Sequence, residues 1–468
     1  MKRLNKSMLD GPLLPNIILY TIPVILTNIL QILFNSADMI IVGRFCGSIS
    51  LAAVGATASI CELVVNLFIG LSIGTGVTVA QNLGRHDDSV VHRTVHTALP
   101  TAIICGGALT VVSIFSAEYL LTITGTPDTV LDLATTYIQI YFTGIIFTLI
   151  YNFCASILRA VGDTKSPLIF LAIAGTINVG LNVLFITVFQ MNVAGVALAT
   201  VISQGISAAL VVIALTKRKD ICRLEFQKIR IYRKELGKII KIGIPAGLQS
   251  SLFAVSNIII QSSVNSFGST VMSGHAAAGN IESFVYVISN AFYQAAVNFV
   301  GQNTGARNFQ RVRKVFLLCL SCGAIMIMAV SALALSFNRE LLSIYITDSE
   351  TAIQYGLLRM KYMMTPYFTF CLMEVTTGAL RGIGKSLLPM FSSVLGICGL
   401  RITWVYTVFQ IPQFHSMKSL YVSYVTSWII TFLINLTIFL VVFRRLRKSV
   451  PISPKHSIES RYNHEAVE

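Results

Sequence analysis

Four of the chain's 20 Asp and Glu residues fall inside long apolar stretches: Asp38, Glu62, Glu282 and Glu374. Asp38 stands out. It is the only charged residue in LLPNIILYTIPVILTNILQILFNSADMIIVG, which runs from Leu13 to Gly43. If that stretch crosses a bilayer, an ionised Asp near its centre costs roughly 2.5–3.5 kcal/mol on insertion scales. A carboxylate kept at that cost points to ion exchange. It can take a proton from one side and lose it to the other as its hydration changes, or hold a hard cation such as Na⁺ together with neighbouring oxygens. Glu374, in FCLMEVTTGAL, lies a helical turn or more before the basic end at Arg381. Glu62, in ASICELVV, and Glu282, in AGNIESFV, each follow a short external turn. For these two, snorkelling or pairing with a nearby base is as good an account as a functional role. Arg401, in GLRITWVY, is the clear base within a span.

The elements that position these residues must be membrane helices. Hydrophobic residues make up 54% of the 468-residue chain and charged residues 12%, about half the usual share of ~25%. Apolar stretches long enough to cross a ~30 Å hydrocarbon layer recur along it. Twelve spans are expected, at roughly 13–43, 50–80, 94–117, 130–157, 166–189, 193–216, 239–267, 271–300, 314–337, 352–379, 387–410 and 419–443. The first is too long for a secretory signal, and no small-residue cleavage site follows it.

Lys and Arg set the orientation. With a cytoplasmic N-terminus and alternating loops, 29 of the 35 basic residues face one side. Both termini are therefore expected in the cytoplasm, and the chain in the plasma (inner) membrane as a multi-pass protein in contact with its lipids. The net charge of +15 sits in short loops beside spans, which argues against a nucleic-acid surface. The run KRKDICRLEFQKIRIYRKELGKIIK (217–241) reads as a basic connector. It could also lie on anionic headgroups.

The connector joins two similar halves. Ile22-Pro23 in TIPVILTNIL is echoed by Ile244-Pro245 in GIPAGLQSSL, AQNLGRHD by GQNTGARN, and LRAVGDTKSP by LRGIGKSLLP. The offsets are 222, 221 and 222 residues. Six spans per repeat is an even number, so both halves enter the membrane the same way. They should form two six-helix bundles related by a pseudo-twofold axis along the membrane normal, with a cleft between them. The expected division is an N-lobe at 1–216, a connector at 217–238, a C-lobe at 239–448 and a cytoplasmic tail at 449–468.

Other motifs carry less. Cys319 and Cys322 in CLSC lie within a span and lack a second pair. His92 and His96 in HRTVH lack the Glu of the zinc-protease pattern. In GIGKS (382–386) the first Gly of a phosphate loop would fall at Ala379, and no strand precedes it. No cofactor, resident metal or nucleotide site is expected, so if the two bundles rock to expose their cleft to either side in turn, as secondary transporters do, the transport is not ATP-driven.

The chain resembles the multidrug and toxic compound extrusion (MATE) transporters, bacterial type, over nearly its whole length. The resemblance rests on ADMIIVGRFCGSISLAAVGA, LRAVGDTKSP, NVGLN, VAGVALATVIS and the GALRG.GKS..PM echo in the second half. It implies twelve helices in two lobes and efflux of cationic, lipophilic small molecules driven by H⁺ or Na⁺, with no enzymatic activity. Carried over, Asp38 matches the span-1 aspartate used for cation coupling and Asn178 the span-5 asparagine beside it. Thr200 matches a span-6 hydroxyl near the same site. One departure matters: where the family often has Asn-x-x-x-Asp, this chain has Asn178 and Asn182. Their i, i+4 spacing still shares one helix face, but the second carboxylate is gone. An acid that some relatives carry early in span 7 is also absent, near Phe253. Glu374, Glu282, Glu62 and Arg401 are the candidates for substrate contact, and a monomer is expected. A flippase for a lipid-linked precursor is the alternative, although such proteins tend to have a strongly cationic cavity. A membrane-embedded enzyme finds no supporting constellation.

Overall fold

The computed structural model describes residues 8–347 and 349–448, and among these it contains helices and turns but no strand. The expected tail at 449–468 lies outside the described residues. The first half comprises α1 (Leu13–Phe45), α2 (Gly47–Gly84), α3 (Asp88–Ile123), α4 (Asp128–Thr143), α5 (Ile145–Ala160), α6 (Lys165–Thr187) and α7 (Asn192–Thr216). The second comprises α8 (Arg233–Asn265), α9 (Ser269–Gly305), α10 (Phe309–Ser336), α11 (Asn338–Ser343), α12 (Glu350–Met364), α13 (Tyr367–Gly382), α14 (Leu387–Ser393), α15 (Leu400–Tyr406) and α16 (Met417–Lys448). A π-helical turn, Val394–Gly399, joins α14 to α15.

Each of the twelve expected spans falls on a helix or a broken helix. Nine described helical stretches are long and apolar enough to cross a membrane, and α4 with α5 makes a tenth that bends by 44°. The bend sits at Gly144. The remaining two spans are α9 and the pair α12–α13. They are more polar because they are largely interior: α9 carries His275, Glu282, Asn298, Gln302 and Asn303, all buried. Apolar run length marks α4–α5 and α12–α13 each as one span but conceals the breaks at Gly144 and Pro366.

The repeat is visible in the backbone. His86 and Arg307 both turn left-handed at φ 56° after α2 and α9. The next residues, Asp87 and Asn308, each cap the following helix by accepting from Val90 N and Arg311 N, satisfying a donor that the first turn leaves orphaned. Gly162 and Gly384 sit at φ 89° and 90° in the matched LR-containing turns, a conformation that glycine adopts without steric cost.

The halves meet at the end of the bundle that carries the basic loops. Gly70 and Gly74 of α2 face Gly243 and Gly247 of α8, so close that a Cβ on any of the four would run into the opposing backbone. Two small-xxx-small faces thus pack against each other, the usual means of close helix approach in lipid. Gly84 and Gly305 make the same approach at the α2 and α9 ends. Hydrogen bonds reinforce the seam: Gln81 Nε2 donates to Gly382 O at 2.7 Å and Gln302 Nε2 to Ala160 O at 2.6 Å. Before α1, the Met8 carbonyl accepts from Asn303 and Arg311, and that of Asp10 from Arg311. The first half of α1, through Ile17, Tyr20, Val24 and Ile25, shares an apolar core with α9 and α10 of the other half.

Candidate functional site

A cavity of about 500 Å³ lies between the halves, beyond the seam. Three helices supply most of its polar wall, each through a stripe at helical spacing. From α1 come Thr27, Asn28, Gln31, Phe34, Asn35 and Asp38, and from α5 come Thr148, Tyr151, Asn152, Ser156 and Arg159. From α9 come Asn290, Tyr293, Gln294, Val297 and Asn298. Steps of three and four residues keep each set on one face. Asn28 Nδ2 donates across the cavity to Asn290 Oδ1 at 3.2 Å, and Asn298 Nδ2 donates to the Tyr20 hydroxyl at 2.8 Å.

Asp38, Asn178, Asn182 and Thr200 lie close together in the first half. Asn182 Nδ2 donates to Asp38 Oδ1 at 2.6 Å and also to Asn178 Oδ1 at 3.3 Å. Asn178 Nδ2 in turn approaches Thr200 Oγ1 at 3.5 Å. Asp38, Asn178 and Thr200 line the cavity, while Asn182 is fully buried behind them. An ionised carboxylate can only accept, and the Asn182 amide supplies the donor. A second aspartate there could not do so while ionised. The Asn182 carbonyl oxygen, by contrast, has no hydrogen-bond partner among the described residues. Carboxylate, amide and hydroxyl oxygens form the type of donor set that suits a hard cation.

The four substrate candidates lie elsewhere. None is among the residues lining this cavity. Glu282 forms a two-pronged ion pair with Arg359, at 3.0 Å to Nε and 2.9 Å to Nη2, and Arg359 also donates to His275 O at 2.9 Å. Glu282 is thus one of the acids that pair with a base, the purely structural account that its sequence setting allows. Arg401 is buried in the second half, donating to Ser427 Oγ at 3.1 Å and Asn257 Oδ1 at 3.3 Å, with its guanidinium 3.9 Å from the centre of the Tyr424 ring. Two further bases join it inside the second half. Arg359, which lies in the expected span 352–379, is one. The other is Arg381, held by the Tyr293 hydroxyl and by Gln249 Oε1. Glu62 is exposed on α2, and Glu374 is half-buried on α13, which packs against α9. Gly378, one turn further along α13, lies against the backbone of Tyr293, a residue of the cavity wall.

The histidines and the connector have a structural occupation. His96 packs on His92 and bonds its carbonyl at 2.8 Å, and its Nε2 accepts from Glu225 N at 3.0 Å. Tyr232 N donates to Thr97 Oγ1, and Arg93 pairs with the buried Glu235 at 3.0 Å. The connector is thereby strapped to α3. Sequence reasoning missed the amide stripes, although Asn28-Gln31-Asn35-Asp38 and Asn290-Gln294-Asn298-Gln302 are regular enough to find.

The MatE family profile matches residues 23–184 and 245–407, once in each half. The chain is 30% identical over 397 residues to the Probable multidrug resistance protein YpnP of Bacillus subtilis, covering 84% of this chain and 87% of that one. It is 23% identical to the Probable multidrug resistance protein NorM of Thermotoga maritima over 81% of this chain and 82% of the other. A crystal structure of MATE in the bent conformation superposes with a TM-score of 0.87 at 19% identity, over 96% of this chain and 99% of that one. An outward-facing multidrug resistance MATE family transporter superposes with a TM-score of 0.86 at 20% identity, over 94% of this chain and 98% of that one. One profile matching twice, together with a relative at 30% identity across most of both chains, places this twelve-helix protein in the MatE family of membrane transporters rather than among enzymes.

Proposed function

We propose that the chain is a secondary active exporter of cationic or lipophilic small molecules, exchanging them for H⁺ or Na⁺ by alternating access. The observation that carries this is Asp38: a carboxylate without an ion-pair partner among the described residues, held by Asn182, on the wall of a cavity between two halves joined at one end. Residues 1–216 and 239–448 would be the rocking lobes, with 217–238 linking them and 449–468 a tail. The basic end would face the cytoplasm of a cell bounded by the plasma membrane, so the cavity lies on the external side of the seam. One chain supplies both walls, which suits a monomer. The names of YpnP and NorM support the multidrug reading.

The flippase alternative fits less well. Arg359, Arg381 and Arg401 are held within the second half, and Arg159 is the one basic side chain among the cavity-lining residues. Dye efflux from everted vesicles under an imposed pH or Na⁺ gradient tests the proposal. Efflux that follows one gradient and is lost in Asp38→Asn supports it. Efflux that ignores both gradients while requiring nucleotide would overturn it. Na⁺ dependence at fixed pH, without dependence on the pH gradient, would exclude H⁺ as the coupling ion.

A further inference from the structure

Of the residues that line the central cavity, two are charged: Asp38 and Arg159. They sit at opposite ends. On α1 the lining stripe runs from Thr27 to Asp38, away from the basic end. On α5 it runs from Thr148 to Arg159, towards that end. At 1.5 Å per helical residue each stripe spans about 17 Å, with amide and hydroxyl side chains between its ends. The cavity is therefore a dipolar slot, acidic at one end and basic at its floor.

Arg159 has no ion-pair or side-chain hydrogen-bond partner among the described residues. The nearest acid in sequence, Asp163, is already engaged by Arg218 at 3.7 Å and by Ser166 at 2.7 Å. The contrast with the other half is sharper. Arg381 occupies the matching position of the repeat, in LRGIGKSLLP against LRAVGDTKSP. There the guanidinium is buried and held by Tyr293 and Gln249. One copy of the repeat holds its arginine in place, and the other presents it to the cavity.

Resting on the drug-cavity reading above, we propose that Arg159 is a docking point for a carboxylate on the transported molecule. The cavity would then take amphoteric compounds, cationic at one end and anionic at the other, as well as simple cations. A guanidinium is the side chain best matched to a carboxylate, offering two parallel donors in a fixed fork. A ligand carboxylate would supply the counter-charge that the protein withholds, and a cationic group would point towards Asp38.

Rhodamine B, which has a free carboxylate, and its ethyl ester, which is a cation only, form a matched pair of probes. Their binding to the purified full chain is followed by fluorescence polarisation in the wild type, Arg159→Gln and Arg159→Lys. Arg159→Gln should weaken rhodamine B by about tenfold or more, the worth of a hydrogen bond to a charged group. The ester should bind this variant more tightly, because a repelling charge has gone, and its binding also reports a folded cavity. Arg159→Lys should recover part of the rhodamine B affinity. Loss of both dyes to the same degree, or unchanged rhodamine B binding, overturns the docking role alone. Failure of the ester to bind the wild type overturns the drug-cavity reading, and this inference with it.

Discussion

Asn182 gives its side-chain amide to the Asp38 carboxylate at 2.6 Å, across the contact between α6 and α1. The same amide nitrogen reaches Asn178 one turn away, so a single residue ties the cavity's one carboxylate to the helix behind it. Removing that donor leaves Asp38 without its described hydrogen-bond partner. A hydrogen bond to a charged group contributes about 1.5–3 kcal/mol. Asn182→Ala should therefore cut gradient-driven efflux about tenfold or more while leaving membrane insertion intact. Vesicle efflux normalised to protein in the membrane measures this, and efflux at the wild-type rate would mean that the amide is packing only.

The Glu282–Arg359 pair makes a different prediction. Both side chains are largely buried, at 7% and 13% exposure. Breaking such a pair from one side typically costs about 3–5 kcal/mol, because the remaining charge is stranded. Glu282→Gln should lower the thermal midpoint in detergent markedly. The double variant Glu282→Gln with Arg359→Met should recover much of the loss. A single variant as stable as the parent would show that Arg359 finds another partner, and would leave Glu282 free for a substrate role.

The glycine seam can be wedged. Gly74 faces the α8 backbone with no room for a Cβ, and overpacking of this kind costs roughly 1–3 kcal/mol. Gly74→Leu should part the halves at the basic end, on the side where Asn298, bonded to Tyr20, lines the cavity. A cysteine introduced by Asn298→Cys should then react faster with a thiol reagent supplied from the basic end than it does without the wedge. Equal rates would mean that the halves separate elsewhere.

Much of this arrangement is legible in the sequence, for identifiable reasons. Twelve spans follow from hydrophobic run length, a property that the bilayer imposes directly. Asp38 is visible because a single charge in a 31-residue apolar run has few explanations. The i, i+4 spacing of Asn178 and Asn182 places them on a shared face through the helical period alone. Glu282 is ambiguous because its partner, Arg359, lies 77 residues away, a distance that no local pattern bridges. Arg159 escapes notice because a basic residue at the basic end of a span looks like an orientation signal. Only packing shows that it faces the cavity and that its repeat partner, Arg381, does not stand free.

Orientation has a direct test. The connector is strapped to α3 through Glu225, Tyr232 and Glu235, yet Lys219 and Phe226 remain exposed. Cysteines placed at these two positions should be unreachable by impermeant thiol reagents on intact cells and reactive in everted vesicles. Reaction in intact cells, with none around Asn265–Ser269, would invert the topology.

Asp38 and Glu374, one acid from each half and neither in an ion pair among the described residues, allow a test that separates the proposed coupling role from substrate attraction. Asp38→Asn keeps size and hydrogen bonding but removes the exchangeable charge. It should insert normally, still bind dye, and lose gradient-driven efflux. Glu374 does not line the cavity, but its helix α13 packs against α9, whose Tyr293 is part of the cavity wall. The repeat places Asn152 opposite it in the first half, so the shared scaffold does not require an acid there. Glu374→Gln should therefore weaken the binding of cationic dyes several-fold, as expected for a charge acting at partial screening, and spare neutral ones. Dye titrations of the two purified variants, set beside their efflux, distinguish the roles. Near-normal efflux in Asp38→Asn with complete loss in Glu374→Gln would move the coupling site to the second half, and the unused acceptor on Asn182 would then need another explanation.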